Sequence, residues 1–126
     1  MVGFLHGVWH LPIILATPWY HSSGNKFIVV PLFLVTLTLA GVLFGYLRFT
    51  TNSVWPCAIA HATYNVAWDM LTEVTAASSP ETLDYVAGES GILPILGLSL
   101  VVAWIASTRH IAVISAAGAR PGSSRR

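Results

Sequence analysis

The chain has 126 residues, of which 55% are hydrophobic and 9% are charged, and its formal net charge is +1 at pH 7. Soluble domains carry about 25% charged residues, so this composition excludes an ordinary soluble domain and predicts a membrane protein of one domain. It also predicts no nucleic-acid partner, because the sequence has neither a basic stripe nor a known binding motif. The single cysteine, Cys57, excludes an internal disulfide.

Four apolar segments of helical length follow one another along the chain. They cover roughly residues 2–17, 27–47, 54–74 and 91–114. A membrane-spanning helix needs about 20 mostly apolar residues; the second and fourth segments reach this length, whereas the first is short and the third carries several polar residues. The sequence therefore predicts an all-α, polytopic membrane helical bundle with about four transmembrane helices, in which residues 1–114 form one domain. The polar, basic tail over residues 115–126 is predicted to be disordered.

The basic residues predict how the bundle is oriented. Arg48 follows the second segment, and Arg109 and the arginines of the tail lie at or after the end of the fourth. Because two crossings separate these positions, they fall on one side of the membrane, opposite Lys26. The positive-inside rule makes the arginine side, and with it the C-terminus, cytoplasmic.

The first segment contains "HGVWHLP", two histidines in an apolar helix. At 100° per residue, Gly3, His6, Gly7 and His10 lie within one arc of roughly 100°. Two glycines four residues apart allow a neighbouring helix to approach closely, so the histidines are predicted to face the bundle interior. Pro12 is predicted to kink this helix and widen the bundle near the histidines.

The second segment has a similar glycine pair, and the third has a polar stripe. Gly41 and Gly45 predict a packing notch. His61 and Asn65 are four residues apart and share one face of the third helix, which is how an interior-facing membrane helix looks. His10 and His61 each lie about eight residues from the cytoplasmic start of their segments, roughly 12 Å deep. The two imidazoles are therefore predicted to meet at one site.

Two stretches of the sequence, "LHGVWHLPIIL" and "SVWPCAIAHATYNVAW", resemble the second and third motifs of the CPBP intramembrane metalloproteases. This family includes the type II CAAX prenyl endopeptidases and bacterial relatives linked to bacteriocin maturation and immunity. The positions that fit the two motifs are Trp9, His10, Pro12, Ser53, Trp55, Pro56, His61 and Asn65. The resemblance covers roughly residues 3–70, and it implies an integral protein of a bacterial plasma membrane.

Two positions depart from the family pattern. His6 stands where an aromatic residue is usual, and the upstream motif Glu-Glu-x-x-x-Arg does not occur, since no acidic residue precedes Asp69. Asp69 and Glu73 are predicted to form a solvated helix end rather than to replace the missing glutamate, because they lie roughly 12 and 18 Å beyond His61 along the helix. We therefore expect the C-terminal part of such a protease, inactive alone or nearly so. An in-frame Glu-Glu-x-x-x-Arg upstream of Met1 would favour an active protease.

The resemblance implies a membrane metalloendopeptidase that acts on membrane-associated peptide or protein substrates within the lipid bilayer. His10, His61 and Asn65 are then the catalytic residues, in one of two arrangements. In the first, His10 and His61 bind a divalent metal such as zinc, which activates water. In the second, a glutamate and one histidine activate water directly, while Asn65 and the other histidine hold the oxyanion. The substrate cavity is expected to be lined by His6, Trp9 and Trp55.

Two other classes of function fit the same residues. One is a catalytically inactive membrane remnant, or a protein of the bacteriocin-immunity type, that keeps the fold without the glutamate. The other is a membrane protein in which two histidines ligate a b-type haem. A colourless purified protein would exclude the haem.

Overall fold

The computed structural model describes residues 1–17, 24–74 and 82–118, and within them it contains α-helices and no strand. The helices are α1 (Val2–Ala16), α2 (Lys26–Thr51), α3 (Trp55–Val74) and α4 (Ile92–Gly118), with a π-helical turn at Leu83–Ala87 before α4. The predicted all-α bundle is thereby confirmed. α4 continues to Gly118, and the remainder of the predicted tail lies outside the described residues.

Local side-chain bonds fix both ends of α2. Asn25 caps its N-terminus, where the Asn25 side chain accepts a hydrogen bond of 2.9 Å from the Phe27 N–H. Asn52 ends the helix in the left-handed conformation, with φ 52°, a role that asparagine tolerates better than most residues. Arg48 donates a 3.1 Å hydrogen bond to Asn52 Oδ1. α3 begins at Trp55, so the short connection makes α2 and α3 antiparallel neighbours.

α2 is the central helix of the bundle. α1, α3 and α4 each pack against it, whereas the Cα atoms of α1 and α3 stay more than 8 Å apart within the described residues. The buried apolar side chains are Ile14, Val29, Phe33, Ala40 and Ile105. Thr36 is buried among them, and its hydroxyl donates to the Leu32 carbonyl at 3.0 Å. α1 and α3 therefore lie on the same face of α2, with their backbones apart.

α1 and α2 approach closely where two glycines meet. A Cβ atom on Gly41 would lie 2.6 Å from the Gly3 Cα, and a Cβ atom on Gly3 would collide with the carbonyl oxygen of Leu37. Gly7 is buried against Leu34 of α2. The predicted notch is confirmed at Gly41 but is wrong at Gly45, where a Cβ atom would have no neighbour within 4 Å. Gly45 instead borders a cavity.

Two of the described segments are long and apolar enough to cross a membrane. They are Lys26–Thr51 and Asp84–Thr108, with mean hydropathies of 2.6 and 2.0. α1 is apolar but has 15 residues, and α3 carries the polar stripe, so the number of four crossings stays a prediction. Large apolar side chains such as Phe27, Leu100 and Trp104 point outward. An apolar surface of this extent needs lipid or another protein to cover it.

Candidate active site

A cavity of about 860 Å³ lies between α1 and α3, with α2 as its floor. Most of its wall is apolar, and Gly3, Gly41 and Gly45 border it. Six of the polar or charged side chains in its lining come from four parts of the chain: α1, α2, α3 and the segment before α4. They are His6, Arg48, His61, Tyr64, Asn65 and Glu89. Polar groups that converge in an otherwise apolar concave surface are the usual form of a ligand-binding site.

His6 stands between the two histidines that the motifs single out. Its ring centroid lies 4.6 Å from that of His10 and 6.2 Å from that of His61, and both ring pairs are edge-on. The Cα atoms of α1 and α3 stay more than 8 Å apart within the described residues, so the ring of His6 makes the contact between the histidines of the two helices. His6 and His61 border the cavity, while His10 lies behind them, against Phe33 of α2.

One ring nitrogen of His10 is already engaged. His10 Nδ1 lies 2.9 Å from the carbonyl oxygen of His6, one helical turn earlier. Because a carbonyl oxygen only accepts hydrogen bonds, Nδ1 must carry the proton. In the neutral ring the lone pair is then on Nε2, the nitrogen that can accept a proton or bind a metal.

α3 is held against α2 at the level of His61. The imidazole of His61 stacks on Phe44, with ring centroids 5.5 Å apart and an interplanar angle of 10°. One turn earlier, the half-buried thiol of Cys57 donates a 3.1 Å hydrogen bond to the carbonyl of Phe44. These two contacts fix the rotation of α3, so that His61 and Asn65 both border the cavity.

The chain segment before α4 turns back towards the middle of α3. The hydroxyl of Tyr64 donates a 3.1 Å hydrogen bond to the backbone carbonyl of Glu89. Tyr64 precedes the end of α3 at Val74 by ten residues, about 15 Å. Glu89 therefore meets α3 well inside the bundle, where it is the one carboxylate among the described residues that line the cavity.

The family model for the type II CAAX prenyl endopeptidase Rce1-like proteins matches residues 1–67, more than half of the chain. The chain belongs to this family. The matched range contains both motifs, the cavity floor and the polar stripe of α3 as far as Asn65. Membership and the two long apolar helices support, in general terms, a CAAX protease-type function and association with a membrane. Neither the comparison with curated proteins nor that with solved structures found a match.

The Rce1-like cavity contains some of the residues expected from the sequence and leaves others outside. His6, His61 and Asn65 border it, whereas Trp9 and Trp55 are 71% and 72% exposed and do not belong to its described lining. Trp9 does contact the histidine cluster, since its ring centroid lies 5.0 Å from that of His10. Asp69 is exposed and also outside the lining. The side chain of Glu73 lies outside the described residues.

Of the six cavity side chains named above, the sequence pattern does not predict three, which are Arg48, Tyr64 and Glu89. The sequence pattern identifies Arg48 only as an orientation signal at the end of a span. Glu89 belongs to the connection between the third and fourth apolar segments, and nothing in "GESG" indicates that this connection folds back to Tyr64. The packing of α4 and its preceding turn on α2, together with the hydrogen bond from Tyr64, brings Glu89 to the cavity.

The histidines of the Rce1-like chain do not make a complete metal site by themselves. Within the described residues, no group of three or more His, Cys, Asp or Glu side chains is arranged to hold a metal ion. Catalytic zinc sites use three protein ligands and one open position. His10 and His61 each contact His6, but the cluster has no carboxylate ligand. The donor set of the described residues therefore does not fit a catalytic zinc ion.

Proposed function

We propose that this Rce1-like protein is an intramembrane endopeptidase, which hydrolyses peptide bonds of membrane-associated substrates in the cavity between α1 and α3. The observation that carries the proposal is the convergence of His6, His61 and Asn65 on one cavity from two helices whose backbones lie apart. Ionisable groups within membrane segments are costly and usually mark a functional site. Because the described side chains offer no set of three metal ligands, we propose a metal-free mechanism, in which His61 and Asn65 act without the glutamate that the resemblance implies.

In the proposed hydrolysis, His61 transfers the proton and Asn65 stabilises the oxyanion. A neutral imidazole at His61 accepts a proton from water as the water oxygen attacks the peptide carbonyl. The amide NH₂ of Asn65, one turn away, donates hydrogen bonds to the oxyanion that forms. The imidazolium then gives its proton to the leaving nitrogen as the C–N bond breaks. His6 borders the same space and contacts both His61 and His10, so it positions the two rings.

We expect hydrolysis to be slow. The resemblance implies that a glutamate activates the water, and the motif Glu-Glu-x-x-x-Arg does not occur in these 126 residues. A divalent metal such as zinc on His10 and His61 would lower the pKa of bound water to about 7. No step above depends on it, because the described donor set does not fit that ion.

The proposed setting is a bacterial plasma membrane, with the protein integral to it and the C-terminus in the cytoplasm. The exposed residues of α4 between positions 92 and 106 are apolar or glycine, with Leu100 and Trp104 among them, and this surface supports burial in lipid. Arg48 near the end of α2 and the arginines after α4 support the orientation. A substrate in the same bilayer would reach the cavity through the gap between α1 and α3.

The test is hydrolysis of an internally quenched peptide with a membrane anchor by the purified chain in lipid nanodiscs. His61→Ala should lower the rate by about 10²–10⁴-fold, the usual contribution of a proton acceptor. Asn65→Ala should lower it by about 10²–10³-fold. Thr63→Ala is the matched control, since Thr63 is exposed on α3 outside the cavity lining. Hydrolysis no faster than in empty nanodiscs, or insensitive to His61→Ala, would contradict the proposal.

A second candidate function is binding without hydrolysis, as in an immunity-type protein. The cavity favours it, because its apolar wall and its polar groups offer space and hydrogen bonds for a peptide whether or not a peptide bond is broken. Saturable peptide binding together with no cleavage over long incubation would support this candidate over the endopeptidase.

A further inference from the structure

One position on the floor of the cavity, next to His61, carries no side chain. Gly45 directly follows Phe44, the residue on which the His61 ring stacks at a centroid distance of 5.5 Å, so the Cα atoms of Gly45 and Phe44 are about 3.8 Å apart. Gly45 borders the cavity, and a Cβ atom there would meet no neighbour within 4 Å in the described part of the chain. The space above Gly45 therefore adjoins the imidazole that transfers the proton in the proposed hydrolysis.

The residues that surround Gly45 on the surface of α2 all line this cavity. On a helix, these are the residues three and four positions before and after it. They are Gly41, Val42, Arg48 and Phe49, and each of them borders the cavity. Gly45 therefore lies in the middle of the floor and not at its edge. Val42 and Phe49 are seven residues, or about 10.5 Å, apart along the axis, and carbon atoms in contact are about 3.5–4.0 Å apart, so one side chain of a ligand fits between them.

The side chains at one edge of this space suit an aromatic ring. Phe49 is 84% exposed, so its ring is open to contact with a second ring, and aromatic pairs attract each other beyond the area that they bury. The guanidinium of Arg48 is held by its 3.1 Å hydrogen bond to Asn52, and a planar guanidinium stacks on the face of an aromatic ring. A flat ring also lies directly on the backbone at Gly45, because no Cβ intervenes. A saturated side chain gains the space but neither of the two aromatic contacts.

We propose that Gly45, Arg48 and Phe49 form a subsite for an aromatic side chain of the substrate. The subsite lies beside the peptide bond on which His61 and Asn65 act. This rests on the proposed function and adds the substrate class: peptides with phenylalanine, tyrosine or tryptophan next to the cleaved bond. Gly45 sets the size of the side chain that enters, and the other two residues distinguish an aromatic ring from a saturated one. All three are specificity residues, because none takes part in proton transfer.

The experiment measures binding, so it does not depend on hydrolysis. The full chain in lipid nanodiscs is titrated with three fluorescent peptides that have blocked termini and differ at one central position, which is phenylalanine, cyclohexylalanine or alanine. Binding to empty nanodiscs is subtracted. Both rings should bind about tenfold more tightly than alanine, because each fills the space above Gly45. Phenylalanine should bind about three- to tenfold more tightly than cyclohexylalanine, the effect of the aromatic contacts. Cyclohexylalanine is the more hydrophobic of the two, so partition into lipid alone predicts the opposite order.

Substitutions separate the size of the subsite from its recognition of an aromatic ring. Gly45→Leu fills the space and should remove the advantage of both rings over alanine, and Gly45→Ala should reduce it about threefold. Arg48→Met and Phe49→Leu should each lower the preference for phenylalanine over cyclohexylalanine by about twofold, and the double variant should abolish that preference.

Two matched controls change residues outside the described cavity lining. Gly97→Leu is the control for Gly45→Leu, since Gly97 is exposed on α4 and its Cβ would also meet no neighbour within 4 Å. Lys26→Met removes a cation at the other end of α2 and is the control for Arg48→Met. Both controls should keep both preferences. Helical content by circular dichroism should be the same for all variants.

Several outcomes would overturn the aromatic subsite. They are equal binding of the three peptides, an advantage of the rings that neither Gly45→Leu nor Gly45→Ala reduces, and an aromatic preference that survives in the Arg48→Met, Phe49→Leu double variant. Cyclohexylalanine that binds as tightly as phenylalanine would also overturn it, because the space would then accept any apolar group, such as the acyl chain of a lipid. Binding with both preferences but without hydrolysis would refute the endopeptidase and leave the subsite standing. Hydrolysis without either preference would do the reverse.

Discussion

The close approach of α1 and α2 makes a sharp prediction about Gly41. In Gly41→Ala, the new Cβ would lie 2.6 Å from the Gly3 Cα and 2.8 Å from the Gly3 nitrogen. Carbon atoms in contact are about 3.5–4.0 Å apart, so α1 must move away by roughly 1 Å. Neither atom can yield alone, because both belong to the backbone of α1. The expected cost in the free energy of unfolding is about 1–3 kcal/mol, typical of overpacking.

Gly45→Ala is the matched control for this prediction. Gly45 lies one turn later on the same helix, and a Cβ there has no neighbour within 4 Å. Both variants gain the same helix propensity, about 0.5–1 kcal/mol, so their difference isolates the contact with α1. The assay is reversible unfolding in mixed micelles of mild detergent and SDS, followed by circular dichroism. Equal stability of Gly41→Ala and Gly45→Ala would refute the close approach.

Two further predictions concern activity in the nanodisc assay. Pro12→Ala should reduce hydrolysis while leaving the helical content unchanged, because Pro12 lies inside α1 and frees a carbonyl close to the histidines; unchanged hydrolysis would remove its proposed role. Treatment with 1,10-phenanthroline should leave the rate unchanged within about twofold, since the described side chains offer no set of three metal ligands. A loss of hydrolysis that is reversed by adding zinc would favour the arrangement with a bound metal instead.

The sequence predicts the helices well, because their apolar segments and polar ends are local features. The four segments agree with α1 to α4 to within a few residues at most of their ends, and the glycine spacing in α1 identifies its packing face. The contact at Gly41 follows from the same reasoning. The lack of a contact at Gly45 does not follow from it. The angle between two helices decides where the distance between them increases, and the spacing of glycines along one helix does not determine that angle.

The site is less predictable than the fold. Helical periodicity puts His61 and Asn65 on one face of α3, and the motifs identify His10 as a partner. The central position of His6 depends on how α1 lies across α2, with its ring between those of His10 and His61. Glu89 is further removed from any local pattern, because a hydrogen bond between residues 25 positions apart brings it to the cavity.

The central claim is that histidines from α1 and α3 share one cavity, and cysteine cross-linking in the membrane tests it most directly. In a Cys57→Ala background, the pair His6→Cys and His61→Cys should cross-link rapidly with a short bifunctional thiol reagent, because the native rings are 6.2 Å apart. The control pair Leu15→Cys and Ile59→Cys replaces exposed residues of the same two helices and should not cross-link. Cross-linking of the control pair at the same rate, or none of the histidine pair, would contradict the shared cavity.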